Sequence, residues 1–204
     1  MLRRSIPSLA LLLAVACVSD KGDKDVAVPT KPQMTEEQAM QKMAELAVPG
    51  PEHKRLDPLV GKFGATTWFK MAADGPEQTS TGTTTNEWIL DGRFLQQRME
   101  GSFQGTPFHG IGITGFNNAT KRYEGFWIDS MGTMMMPLAT GTANSTGKVI
   151  TFSRTMLDPI MNQMITTREV LTIVDDNRHT FEWYQPGPDG KEFRMMHAEY
   201  VRAR

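Results

Sequence analysis

From Val60 onward apolar and polar side chains alternate with a period of two, and turn-forming residues interrupt that alternation at roughly ten-residue intervals. A two-residue period is the signature of extended strands, and connections this short leave successive strands no arrangement but antiparallel neighbours. The spacing predicts strands near 60–71, 80–90, 93–101, 106–116, 121–130, 133–142, 148–156, 164–175, 179–185 and 192–203. Asp91-Gly92, between Leu90 and Arg93, reads as a two-residue hairpin turn. Asn117-Asn118-Ala119-Thr120, Asn144-Ser145-Thr146-Gly147, Asp175-Asp176-Asn177 and Pro186-Gly187-Pro188-Asp189-Gly190 supply further turns. The expected fold is therefore all-β: an up-and-down antiparallel β-barrel of about ten strands, because closure removes exposed sheet edges. A flat sheet or a two-sheet sandwich is the alternative.

The region before the strands is organised differently. Thr35 and Gln38 are spaced as a capping box, and Met40, Met43, Ala44 and Ala47 recur at helical spacing until Pro49-Gly50-Pro51. A short helix over 35–48 follows, either closing one end of the barrel or extending loosely from it. Residues 17–34 are polar, charged and proline-bearing, as in a flexible tether. Arg3 and Arg4 precede an apolar run from Leu9 to Val15, shorter than the roughly 20 residues a spanning helix needs. Ala14-Val15-Ala16-Cys17 resembles a bacterial lipobox, with Ala14 departing from its usual larger aliphatic residue. The resemblance implies a lipoprotein signal peptide over 1–16 and lipidation of Cys17, while the strand signals set the barrel domain at 52–204. Val18 after the cysteine implies the outer membrane, facing the periplasm. An ordinary signal peptide, leaving a free thiol, is the alternative.

Composition sets limits on chemistry. The 22 basic against 23 acidic residues offer no excess for a nucleic-acid backbone, so no nucleic-acid partner is expected. A single cysteine excludes an internal disulfide and any multi-cysteine metal cage.

Several segments taken in order carry a family resemblance: His53 to Phe63, Asn86 to Leu90, Gly92 to Gln97, Gly110 to Phe116, Trp127 to Met131 and Gly187 to Phe193. Over roughly Glu52 to Arg202 the chain resembles the bacterial domain-of-unknown-function family 1579. That resemblance implies a lipocalin-like, calycin-type barrel and implies no activity. One departure stands out: Gly61-Lys62-Phe63 occupies the place where such barrels commonly carry Gly-x-Trp.

Gly110-Ile111-Gly112-Ile113-Thr114-Gly115 matches the dinucleotide fingerprint by letter. That fingerprint needs a helix after the glycines, and a turn and a second strand follow instead, so the glycines read as small residues in a bent strand. His53, His109, His179 and His197 lack metal spacing. His197 is a weak haem candidate, since nitrobindin-type barrels resemble this architecture and carry a late-strand axial histidine. Met131, Met134, Met135, Met136, Met156, Met161 and Met164 admit copper(I) or, more simply, soft packing. No metal or cofactor is expected.

Across the Asp91-Gly92 turn, one face of the hairpin carries Thr85, Glu87, Ile89, Phe94, Gln96 and Arg98, and the other carries Leu90, Trp88, Asn86, Leu95, Gln97, Met99 and Arg93. Neither is purely apolar, which fits a barrel with a partly polar interior as well as salt bridges on an outer surface. Trp127-Asp129 and Arg168-Glu169 repeat the mixture. The candidate pocket is therefore Glu87, Ile89, Phe94, Gln96, Arg98, Trp127, Asp129, Arg168 and Glu169, with the Trp88–Leu95 face taking over if the first face points outward. The function expected is binding of a small apolar or amphiphilic molecule by an envelope protein held through a lipid anchor. An enzyme using a carboxylate–arginine cavity, and a structural or interaction domain with a filled barrel, are the alternatives. Glu87, Asp129 and Glu169 are the carboxylates available for acid–base work, and nothing in the sequence places two of them together.

Overall fold

The structure, a computed structural model, describes residues 34–204. Alternating side chains drive most of this length into strands: β1 (Gly61–Phe69), β2 (Gln78–Ile89), β3 (Phe94–Phe103), β4 (Thr106–Asn117), β5 (Arg122–Asp129), β6 (Ala139–Ala143), β7 (Val149–Asp158), β8 (Gln163–Asp175), β9 (Arg178–Pro186) and β10 (Glu192–Arg202). Each pairs antiparallel with its chain neighbour, and β1 pairs with β10 from Phe63↔Arg202 to Phe69↔Met196, which closes the barrel. The sandwich and flat-sheet alternatives are thereby excluded.

Two local expectations are corrected. Residues 133–138 are not strand: β6 begins at Ala139, after Pro137, which lacks the N–H a ladder requires. The β2–β3 turn spans four residues rather than two. Leu90, Asp91 and Gly92 take φ values of 50°, 57° and 80° in succession, so the ladder stops at the Ile89↔Phe94 pair.

Ahead of the strands, α1 (Glu36–Leu46) starts with the Thr35–Gln38 capping box. It buries none of its residues and is tied down at its end, where Asn118 Nδ2 donates to the carbonyls of Leu46 and Val48, each at 2.9 Å. Closing the barrel falls instead to α2 (Pro51–Lys54) and the 3-10 turn Asp57–Leu59. They set Leu56 and Leu59 against Leu95, Tyr123, Ile150, Phe152 and Ile173 as the main core. Polar contacts fix this floor: Asn86 Nδ2 donates to the Leu59 carbonyl at 2.8 Å, and Trp88 Nε1 donates to Asp57 Oδ1 at 2.9 Å. Arg202 completes it, donating to the carbonyls of Pro58, Val60 and Asp176 while its guanidinium covers the Phe63 ring at 4.5 Å. A phenylalanine thus suffices at this position because the arginine caps it.

Candidate functional site

Because the apolar core is concentrated at the floor, the rest of the barrel is not filled. A cavity of about 760 Å³ rises from Leu59 and Leu95 to the opposite end, where the β1–β2, β3–β4, β5–β6, β7–β8 and β9–β10 turns surround it. Around that mouth Met71, Met131, Met134, Ile160 and Met161 are exposed, Ile160 at 75%. Phe69, Phe103, Phe152, Met156, Phe181 and Trp183 make the walls largely apolar.

Trp127 lines the wall near the mouth, and its position explains the glycines of β4. A Cβ on Gly110 would lie 2.1 Å from Trp127 Cζ2, and one on Gly112 would lie 3.0 Å from Cε3. The two glycines make room for the indole, whose Nε1 donates to Asp129 Oδ2 at 2.8 Å. The fingerprint is a seat for a side chain.

Halfway up the wall is a buried ion pair. Strand β7 alternates without a break, with Ile150, Phe152, Arg154 and Met156 turned inward. Opposite, Ile165, Thr167 and Glu169 of β8 turn inward as well. Arg154 Nη2 donates to Glu169 Oε2 at 3.1 Å and Arg154 Nε lies 3.0 Å from Oε1, with both side chains 4% exposed. Thr167 Oγ1 donates to Glu169 Oε1 at 3.5 Å, and Trp183 presents its ring 5.6 Å from the guanidinium carbon. Arg154 Nε, Arg154 Nη1 and Trp183 Nε1 have no hydrogen-bond partner among the described residues. Burial pushes the Glu169 carboxyl upward in pKa, against the opposing pull of Arg154 and Thr167.

At the floor His179 stacks on Tyr200 at 4.4 Å and meets the edge of Phe63 at 4.7 Å. Burial, with Arg202 adding to it, lowers the imidazole to about 4, so His179 is neutral at ordinary pH. Burial likewise raises the Tyr200 phenol to about 12.

The inward face of the β2–β3 hairpin is the one carrying Asn86, Leu95, Gln97 and Met99. Glu87, Phe94 and Arg98 are exposed on the outside, Ile89 and Gln96 are half-buried there, and Phe94 covers Gly115. Both faces mix apolar and polar side chains, the inward one being the richer in apolar groups, and the floor holds it by offering the Leu59 carbonyl to Asn86 and the Asp57 carboxylate to Trp88. Trp127, Asp129 and Glu169 line the cavity, but Arg168 does not. Adjacent residues of a strand point to opposite faces, so Arg168 lies outside, paired with Glu192 at 2.6 Å and stacked on Tyr184 at 3.8 Å. His197 is also outside, stacked on Trp68 at 5.4 Å with Nδ1 3.6 Å from Glu182 Oε1, so it cannot reach a haem inside the barrel. Among the polar cavity residues absent from the sequence-based pocket are Arg154, Trp183, His179 and Tyr200. Arg154 carried a signal: it is a charged residue between Phe152 and Met156 on the inward face of β7, well before Asp158 at the strand's end.

A family model described as protein of unknown function (DUF1579) matches residues 48–202, from the residues just before α2 to the end of β10. The chain belongs to this family. The DUF1579 region therefore contains the barrel and its floor, with α1 outside it. Among solved structures, the DUF1579 barrel is similar to Rv2717c from M. tuberculosis at 16% identity and a TM-score of 0.55, over 76% of this chain and 99% of that one. It is similar also to the S-type phycobiliprotein lyase CPES from Guillardia theta at 11% identity and a TM-score of 0.53, again over 76% and 99%. At these identities the likeness is one of fold. No curated protein matches the chain.

Proposed function

We propose that this DUF1579 protein is an envelope-anchored lipoprotein whose barrel holds a small, mainly apolar molecule. The observation that carries the ligand part is the cavity: about 760 Å³, walled by aromatic and methionine side chains, with a few polar groups at defined depths. Ligand pockets usually enclose roughly 300–1,000 Å³ with this make-up. Native mass spectrometry of protein taken from its own membrane tests the reading directly, together with titration of the cavity tryptophans by a neutral apolar probe such as dodecanol. A retained molecule or a saturable change in tryptophan emission is expected. A barrel that carries nothing and leaves the emission of Trp127 and Trp183 unchanged would be a structural domain instead.

The anchoring part rests on Ala14-Val15-Ala16-Cys17, which lies outside the described residues together with the tether. An acyl probe should label the wild type and fail on Cys17→Ser, which should also leave the detergent phase. Labelling that ignores Cys17 would remove the anchor from the proposal. Diacylglycerol plus an amide-linked chain supplies the two lipid signals that stable anchoring requires.

The carboxylate–arginine pair inside the cavity is the observation that favours an enzyme as the second reading. Binding is preferred because Arg154 and Thr167 already engage both oxygens of Glu169, and Arg154 is the one charged group acting on it.

A further inference from the structure

Resting on the reading of the barrel as a ligand site, we propose that Arg154 and Trp183 form the head-group position for an apolar monocarboxylic acid, and that Glu169 takes up a proton from solvent when the acid's carboxylate docks.

Donors without a partner mark the position. Arg154 Nη1 and Trp183 Nε1 belong to neighbouring side chains that both line the cavity, and neither finds an acceptor among the described residues; Arg154 Nε, 3.0 Å from Glu169 Oε1, makes an ion-pair contact but no hydrogen bond. A buried donor left unmatched keeps the full cost of its lost hydration. A group that offers acceptor oxygens alone answers both, and a carboxylate has two of them, one for Arg154 Nη1 in a charge-assisted bond and one for Trp183 Nε1. The surroundings can adapt to it. Met156, Met195 and Met196 pack around Trp183, and thioether chains move aside more readily than branched ones. Above the head group, the apolar walls and the methionine-rich mouth would receive the hydrocarbon.

Charge fixes the role of Glu169. Arg154 and Glu169 together are neutral, so a second carboxylate brought to an ionised pair would leave one buried negative charge without compensation. Adding a proton to Glu169 removes that excess: the ligand's carboxylate becomes the counter-ion of Arg154, and Glu169 becomes a neutral acid within reach of Thr167 Oγ1 at 3.5 Å. Facing Glu169 are Arg154 and Phe152 from β7 and Trp183 from β9. The other ionisable groups lining the cavity are Asp129 and Asp158 toward the mouth and His179 and Tyr200 at the floor. Burial already raises the Glu169 pKa, which lowers the cost of that protonation.

The test compares dodecanoate with dodecanol by titration calorimetry on the full chain, from about pH 8 to about pH 6, for the wild type, E169Q and R154M. In the wild type, dodecanoate should bind more tightly as pH falls, approaching about tenfold per pH unit above the Glu169 pKa, while dodecanol stays constant. E169Q, close in shape to the wild type, should bind dodecanoate about tenfold or more tighter at pH 8 and lose the pH dependence. R154M should lower the acid-to-alcohol affinity ratio by about tenfold or more. Matching pH profiles for acid and alcohol in the wild type, or an E169Q variant with unchanged acid affinity, would overturn the head-group proposal and leave the ligand reading standing. Failure of both probes on the wild type would overturn the ligand reading and this proposal with it.

Discussion

His179 is held neutral by its burial between Phe63 and Tyr200, and that makes the floor sensitive to acid. Its pKa in the folded protein is about 4, against an ordinary value of 6.5, so between those values the unfolded chain binds the proton and the folded one does not. The neutral imidazole's contribution is fully present above about pH 6.5 and falls by about 3 kcal/mol as pH drops toward 4. Glu169 works in the opposite direction: with its pKa raised by burial, it favours the folded state as pH falls through that value. Urea midpoints at pH 7 and pH 4.5 should show H179Q losing less stability on acidification than the wild type. Equal losses would mean the imidazole is not the acid-sensitive group. Gly110 offers a second residue-scale test. An alanine there would drive its Cβ to 2.1 Å from the Trp127 ring, so G110A should cost about 1–3 kcal/mol by thermal unfolding. The same change combined with Trp127→Leu should recover part of that loss.

At the scale of elements, the β2–β3 turn stores strain where no packing demands it. Leu90 has a φ of 50° and is exposed, a backbone region that disfavours side chains other than those of glycine and asparagine. Leu90→Asn should raise the unfolding free energy by about 0.5–1 kcal/mol with the β-sheet signal unchanged. A neutral or destabilising result would show that Leu90 contributes packing outside the turn. The strand pattern of β7 shows how an element creates a site: one unbroken alternation places Arg154 among Ile150, Phe152 and Met156, and the antiparallel register Ser153↔Arg168 and Phe152↔Glu169 brings Glu169 to it.

For the whole molecule, Arg202 joins the last strand to the floor. It donates to three carbonyls in two separate segments and covers Phe63, so closure of the barrel and closure of its end depend on one side chain. Arg202→Ala should cost about 2–4 kcal/mol, since hydrogen bonds from a charged donor contribute about 1.5–3 kcal/mol each and are not additive. Hydrogen exchange should then rise together in β1, in β10 and around Leu59. Faster exchange in β10 alone would mean that the floor stands without the clamp.

Sequence alone determined the strand number, the register of the β2–β3 pairs and the barrel, because the two-residue period and turn chemistry are local properties of the backbone. It also marked Trp127, Asp129 and Glu169, which do line the cavity. The facing of the strands was another matter. Glu87, Ile89, Phe94, Gln96 and Arg98 share a face correctly, but alternation sorts side chains into two sets without saying which set is inside. Where both sets are mixed, the choice falls to groups distant in sequence: the Leu59 carbonyl and Asp57 carboxylate that hold Asn86 and Trp88 inward. Arg168 beside Glu169 and His197 beside Ala198 show the same limit, each sent outward by the pleat while its neighbour turns in. Only the tertiary structure joined Arg154 to Glu169 and Trp183, since burying an ion pair depends on three strands meeting around it, and no single strand contains that information.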